Sequence, residues 1–168
     1  MPQSLQTTSL PQAAIIFLVV CCCPLAAQAY QSKWQVKGGV SAFFFGTVMP
    51  PQGLLLAGYQ WDFDTFFHEV NIGGWRGNRG TDIAYWQVAG VQPLPKGSMS
   101  FGAGLGWISH DETSALGSRW QFILDIRYRW QDLPYYFGMS HISNGELFFH
   151  HAYLPNVGEN FFVFGYEF

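Results

Sequence analysis

A histidine and a serine two residues apart offer the clearest chemistry in this sequence. His141 and Ser143 lie in the stretch from Tyr135 to Asn144, whose aromatic content predicts a β-strand. Because successive side chains of a strand point to opposite faces, His141 and Ser143 share a face, about 6–7 Å apart along the backbone. An imidazole beside a hydroxyl can act as the general base for a serine nucleophile. Since the rest of that face is apolar, the pattern predicts ester chemistry on a lipid-embedded substrate.

The chain is poor in charge without being uniformly apolar. Of its 168 residues, 49% are hydrophobic and 18% aromatic, whereas 11% are charged. An ordinary soluble domain has about 25% charged residues. The net charge of −3 provides no basic patch for nucleic acid, and no RNA-recognition, zinc-finger or helix-turn-helix pattern is present. We therefore expect no nucleic-acid partner.

The first 29 residues have the pattern of a secretory signal peptide. An apolar core at residues 13–23 is followed by Pro24 and by the small-x-small pattern of residues 27–29. A short transmembrane anchor is the alternative, but the run falls short of the ~20 apolar residues that a spanning helix needs. All three cysteines lie inside this segment, so cleavage would leave no disulfide, thiol nucleophile or cysteine-based metal site. We divide the chain into a signal peptide, 1–29, and one domain, 30–168.

The domain breaks into eight segments, most of which alternate in polarity. These segments are 33–47, 52–63, 66–77, 81–93, 98–109, 118–130, 134–144 and 159–168. The sixth places aromatics at both ends of one face and aliphatics between them, opposite three arginines and an aspartate. That depth profile is typical of a strand that crosses a bilayer with its polar side toward a lumen. The sequence therefore predicts an all-β fold, an eight-stranded antiparallel transmembrane β-barrel.

The connections indicate which membrane the barrel occupies. Tight turns follow the second, fourth and sixth strands, whereas the fifth and seventh connections are longer. Short periplasmic turns and longer external loops are typical of outer-membrane barrels. The aromatic last strand ends on Phe168 and resembles the C-terminal signature of bacterial outer-membrane proteins. We expect an integral protein of the outer membrane of a Gram-negative bacterium, with His141 and Ser143 on the lipid-facing side near the outer end of the seventh strand. A soluble barrel is the alternative, and its outside would be polar.

Sequence motifs near the end of the chain add a possible family to the predicted barrel. His141-Ile142-Ser143-Asn144 is followed by Pro155-Asn156-Val157-Gly158 and an aromatic final strand. This combination resembles the lipid A 3-O-deacylase family, and the likeness extends more weakly to Tyr59–Asp64 at the second hairpin. The resemblance implies an acyl hydrolase that removes the ester-linked chain at the 3 position of lipid A, with lipopolysaccharide of the outer leaflet as its partner. It implies His141 as general base, Ser143 as nucleophile and Asn144 as an oxyanion-hole residue.

The third member of the implied His-Ser-Glu triad is where the sequence departs from that family. The position two residues after the glycine of the Asn-x-Gly turn, where the family has glutamate, is Asn160, and Glu159 comes one residue early. Parity places Asn160 on the outward face and Glu159 on the inward face. An asparagine can orient an imidazole but cannot neutralise the imidazolium. We favour Asn160 on geometry; Glu159, brought outward by a bulge, is the close alternative, and Glu146 in the adjacent loop is the third.

The remaining polar clusters do not require a cofactor or metal. His150 and His151 fall in the longest predicted loop, where we expect two adjacent histidines to be solvated side chains and not metal ligands. The run His110–Glu112 could hold a divalent cation between lipopolysaccharide phosphates, but its spacing does not demand one. His68 falls on an apolar strand face, and the sequence gives no account of it. No phosphate loop, zinc spacing or nucleotide fingerprint is present, so we expect no cofactor and no metal.

A non-catalytic role is the competing interpretation. A small structural or adhesive outer-membrane barrel could carry an incidental His-x-Ser at the lipid interface. Adhesive barrels usually have long polar loops, and the loops here are modest. A pore is disfavoured because eight strands leave an interior that side chains just fill. The oligomeric state stays open, and a homodimer is compatible with the sequence.

Overall fold

A computed structural model describes residues 31–41, 52–76, 80–109, 119–144 and 158–168. The predicted signal peptide, residues 1–29, lies outside these ranges. Within them the regular elements are eight strands: β1 Gln31–Ser41, β2 Gly53–Asp62, β3 Phe66–Arg76, β4 Gly80–Leu94, β5 Gly97–Ile108, β6 Trp120–Trp130, β7 Tyr135–Asn144 and β8 Glu159–Glu167. No helix in this part of the chain is long and apolar enough to cross a membrane.

The strands form one closed antiparallel barrel. Each strand pairs with its neighbour in the chain, and β1 pairs with β8 from Gln35↔Glu167 to Ser41↔Phe161. The predicted all-β, eight-stranded antiparallel barrel is therefore confirmed. Short connections join β2 to β3, β4 to β5 and β6 to β7 at one end of the barrel, which we call the turn end. The opposite end, where β7 finishes and β8 begins, is the loop end.

Side chains alternate between the wall and the lumen as the sequence predicts. Along β6, Gln121, Ile123 and Asp125 are buried in the lumen, whereas Trp120 and Leu124 face outward and are exposed. The strand with the poorest alternation, β4, is also the longest, at 15 residues. Its inward residues Ile83 and Tyr85 are as apolar as its outward ones, because the lumen beside them is apolar.

Four buried charges balance each other in the middle of the lumen. Lys37 Nζ donates to Glu69 Oε1 at 3.2 Å and to Tyr85 Oη at 2.7 Å. Arg127 Nη1 donates to Glu69 Oε2 at 2.6 Å, and its Nε donates to Asp125 Oδ2 at 3.0 Å. Two cations therefore face two carboxylates with their hydrogen bonds made, which is the condition under which buried charges are tolerated.

Apolar side chains fill the lumen between this network and the loop end. The cluster consists of Leu54, Leu56, Trp75, Ile83, Tyr85, Ile108, Ile123, Ile142, Phe161 and Val163. Ile142 and Phe161 belong to β7 and β8, so the cluster lies directly behind the strand pair that carries His141 and Asn160. A packed core therefore supports the inner side of these two strands.

Candidate active site

The imidazole of His141 is held by Asn160 on the outward wall. The two residues are directly paired across β7 and β8, and His141 Nδ1 lies 2.8 Å from Asn160 Oδ1. An amide oxygen only accepts hydrogen bonds, so Nδ1 carries the ring proton and donates a hydrogen bond to Asn160 Oδ1. The neutral ring then has no proton on Nε2, which leaves that nitrogen available as a base.

The first described residue before β8 shapes the space around Nε2. Gly158 has φ +53°, in the left-handed region that favours glycine. A Cβ built on Gly158 would lie 2.5 Å from His141 Cε1, 2.9 Å from His141 Nε2 and 3.0 Å from Ser143 Cβ. The imidazole therefore occupies space that any side chain at position 158 would need. His141 Nε2 and Ser143 Cβ are thus both within 3.0 Å of one point beside Gly158, so the two atoms border the same small space.

Ser143 lies on the outward face but is largely covered. It pairs with Phe122 of β6 on one side and lies close to Gly158 on the other, and only 6% of its surface is exposed. Its hydroxyl shares the His141 face two residues further along β7, as the alternation predicts. The structure thus brings the predicted base and the predicted nucleophile together at the loop end, with Asn160 behind the base.

Glu159 occupies the opposite face of β8. It pairs with Ile142, is directed into the lumen and is 1% exposed. The ladder runs one to one from Tyr135↔Tyr166 to Ile142↔Glu159, so over these residues no bulge turns Glu159 outward. Its Oε2 has no hydrogen-bond partner among the described residues. Of the two β8 candidates for the third site residue, the one in contact with His141 is Asn160.

The other predicted site residues are described only in part. The backbone of Asn144 ends β7 and pairs with Gln121, but its side chain lies outside the described structure. Glu146, the histidines at 150 and 151 and the segment 110–112 also lie outside it. Within the described ranges, no group of three or more His, Cys, Asp or Glu side chains is placed to hold a metal ion.

His68, which the sequence left unexplained, belongs to an aromatic cluster far from His141. Its ring stacks on Trp86 with centroids 5.6 Å apart and meets the ring edges of Phe63 and Phe66. This cluster lies near the turn end, because His68 follows the β2–β3 turn. Ring packing therefore accounts for a histidine on an apolar strand face.

The contribution of Gly158 could not be derived from strand periodicity. The signal for it is its place in the Asn-x-Gly sequence, since such a turn needs a left-handed residue. Its closeness to His141 depends on how β8 begins, and alternation does not determine that geometry.

Comparison with known proteins adds no assignment. No family model, curated protein or solved structure matches this chain. The resemblance to the lipid A 3-O-deacylase family therefore rests on sequence motifs: those around His141 and Gly158, the aromatic final strand and, more weakly, Tyr59–Asp64.

Proposed function

We propose that the protein is an outer-membrane esterase that removes the acyl chain at the 3 position of lipid A. Ser143 is the nucleophile, His141 is the general base, and Asn160 orients the imidazole. The observation that carries the proposal is the 2.8 Å contact between His141 Nδ1 and Asn160 Oδ1, which leaves Nε2 beside Ser143 on the outer wall of a barrel.

The composition of the outer wall supports a membrane location. Large apolar side chains are strongly exposed along it, including Leu55 at 64%, Phe162 at 58% and Phe101 at 58%. A soluble monomer rarely exposes a continuous apolar surface of this kind. Aromatic groups such as Tyr128–Trp130–Phe137 gather at the turn end, as in the interfacial girdles of outer-membrane barrels. In this orientation the turn end is periplasmic and the loop end lies at the outer leaflet.

The first half of the reaction forms an acyl-enzyme. Ser143 Oγ attacks the ester carbonyl carbon while its proton passes to His141 Nε2, giving a tetrahedral oxyanion. The C–O bond to the sugar then breaks, and the departing sugar oxygen takes the proton from His141. Asn144, assigned by the resemblance, helps to stabilise the oxyanion, and one such donor contributes about 3–4 kcal/mol of barrier lowering.

The second half releases the fatty acid. Water attacks the acyl carbon of the Ser143 ester and gives its proton to His141 Nε2. Collapse of the second oxyanion breaks the bond to Ser143 Oγ, which recovers its proton from His141. The products are a 3-hydroxy fatty acid and lipid A with a free 3-hydroxyl.

Asn160 sets a limit on this chemistry. It selects the correct tautomer of His141, but its neutral amide adds no negative charge to stabilise the imidazolium that forms during each half-reaction. A carboxylate in the same position would do both. We therefore expect slower turnover than a charged partner would allow.

The test is mass spectrometry of lipid A from Gram-negative cells that express the protein. The wild type should remove one ester-linked hydroxyacyl chain, and Ser143→Ala and His141→Ala should abolish the loss. Both variants should still insert as folded barrels, because neither side chain belongs to the lumen core. If a correctly inserted wild type leaves lipid A intact, the esterase proposal fails and a structural barrel becomes the better interpretation.

A further inference from the structure

A small cavity lies inside the lumen, between the central charge network and the turn end. Its volume is about 10 Å³, close to that of one water-sized sphere. Polar side chains make up most of its lining: Ser98, Ser100, Arg127, Arg129 and Tyr136. An apolar cavity stays dry, whereas a polar one of this size can hold a water molecule. The lining of this cavity is therefore that of a wet site.

Arg129 brings a buried donor to the cavity. Its Nη2 pairs with Glu167 Oε1, but its Nε is buried and has no hydrogen-bond partner among the described residues. A guanidinium does not lose its proton in a protein, so the N–H of Nε remains a donor. Because a buried donor without an acceptor costs free energy, we expect Nε to have a further partner.

The other polar groups around the cavity supply what a bound water needs. Arg127 has five N–H groups and makes four hydrogen bonds, all to Glu69 and Asp125. Ser98 pairs with Arg129 across β5 and β6, and Ser100 pairs with Arg127, so two hydroxyls that can donate or accept lie beside the two arginines. A buried water typically makes two to four hydrogen bonds, and these groups can provide them.

The charges on both sides of the cavity are balanced, which favours a neutral occupant. On the turn side two cations, Lys33 and Arg129, meet the carboxylates of Asp62 and Glu167. On the other side the central network also contains two cations and two carboxylates. A buried anion needs a positive charge that is not already compensated. The cavity therefore suits a water better than a halide.

A larger cavity gives water a route to this site. It has a volume of about 590 Å³, is open at the turn end and shares Ser98 and Arg129 with the small cavity. In the opposite direction, the apolar cluster around Ile123 and Phe161 fills the lumen toward the loop end. Water therefore reaches the small cavity from the turn end.

We propose that the small cavity binds one water molecule, which bridges Arg129 Nε to the hydroxyls of β5. The water oxygen accepts the hydrogen bond from Nε, and the water donates to Ser98 or Ser100. It thereby joins the ion pairs of the turn end to the central charge network. The turn-end half of the lumen is hydrated, whereas the half behind the proposed active site is dry. This site does not depend on the proposed esterase function.

The direct test is a crystal structure of the purified protein at a resolution that shows ordered waters. We expect one water about 2.7–3.2 Å from Arg129 Nε and at a similar distance from a β5 hydroxyl. A crystal soaked in sodium bromide distinguishes a water from a halide, because bromide scatters anomalously. No anomalous peak should appear in the cavity.

A matched pair of variants tests the same site in solution. Ser100→Thr and Ser100→Val add nearly the same volume to the cavity, but only threonine keeps a hydroxyl. Because Arg129 Nε needs an acceptor, Ser100→Val should unfold at a lower urea concentration than Ser100→Thr. In a cavity where Nε needed no acceptor, valine would be the more stable of the two, since a buried hydroxyl costs free energy.

Three results would overturn the proposal. The first is a wild-type crystal structure in which the cavity holds no density or Arg129 Nε bonds directly to a protein oxygen. The second is an anomalous bromide peak, which would make the cavity an anion site. The third is a urea midpoint for Ser100→Val equal to or above that of Ser100→Thr. The wild-type crystal structure decides the question even if neither variant folds.

Discussion

Gly158 controls the His141 ring by having no side chain. A methyl group there would meet His141 Cε1 at 2.5 Å, and φ +53° is strained for any residue other than glycine. We predict that Gly158→Ala displaces the imidazole and lowers kcat about 100-fold, the usual result of a misplacement near 1 Å. The barrel should remain folded, as judged by its gel migration without heating.

A matched glycine provides the control for this variant. A Cβ on Gly90 meets no atom within 4 Å, so Gly90→Ala should retain full activity. If both variants were equally active, Gly158 would not position the base.

The amide of Asn160 offers a second substitution. We predict that Asn160→Ala lowers kcat by about 10- to 100-fold, because Nδ1 loses the acceptor that fixes its tautomer. Asn160→Asp keeps the acceptor in place and adds a charge that stabilises the imidazolium, so it should raise kcat. Lipid A deacylation by purified variants measures both effects.

Glu159→Gln is the comparison for those variants and should change turnover little, since Glu159 faces the lumen. A ranking in which Glu159→Gln is the more damaging change would mean that β8 shifts its register when substrate binds.

The two glutamates of β8 form a natural pair for testing what burial costs. Glu159 is 1% exposed with no partner for Oε2 among the described residues, while Glu167 is 8% exposed between Lys33 and Arg129. We predict that Glu159→Gln raises the free energy of unfolding, because it removes a buried carboxylate without a described cationic partner. Glu167→Gln should lower it by about 1 kcal/mol, because Arg129 loses its counter-charge and Lys33 keeps only Asp62.

Urea unfolding in micelles measures both changes on the same strand. If Glu159→Gln also lowered the free energy of unfolding, the environment of Glu159 would supply a partner for its charge.

Strand patterning predicted most of the barrel, because a period of two is enforced wherever one face is apolar and the other polar. The outward face of β6 and the shared outward face of His141 and Asn160 follow from that parity, whereas the register that pairs these two residues is known only from the structure. Parity failed to give a clear signal in β4, since its inward residues Ile83 and Tyr85 pack in the apolar cluster of the lumen, where only the Tyr85 hydroxyl reaches the charge network. It also gave no warning that Ser143 would be only 6% exposed with Gly158 close beside it, because parity gives the face of a side chain and not its cover.

The charge network in the lumen holds five strands together. Glu69 of β3 contacts Lys37 of β1, Arg127 of β6 and Gln87 of β4, while Ser140 of β7 donates to Asp125. We predict that Glu69→Ala destabilises the barrel by about 3–5 kcal/mol, because it leaves two buried cations with a single carboxylate. Heat-induced unfolding followed by gel migration measures the loss.

Leu55→Ala is the control for the network, since Leu55 faces outward and is 64% exposed. It should unfold within a few degrees of the wild type. If Glu69→Ala and Leu55→Ala lost the same amount of stability, the charge network would contribute nothing to stability beyond the volume of its side chains.

The intact protein should fractionate with the outer membrane, with a mature chain that starts near Tyr30. Unheated samples should migrate differently from boiled ones, as closed barrels do. Recovery in the soluble periplasm would contradict the proposed location.

The seam between β1 and β8 joins the two ends of the domain, so the barrel closes only after the last strand has been delivered. Asn160 is on that last strand, and its hydrogen bond to His141 cannot form earlier. If the protein is the proposed outer-membrane esterase, a chain whose last strand has not yet paired has no oriented base, and we expect it not to attack lipids before insertion. We therefore expect the proposed hydrolysis to begin only after β8 has paired with β7, which makes its timing a property of the topology.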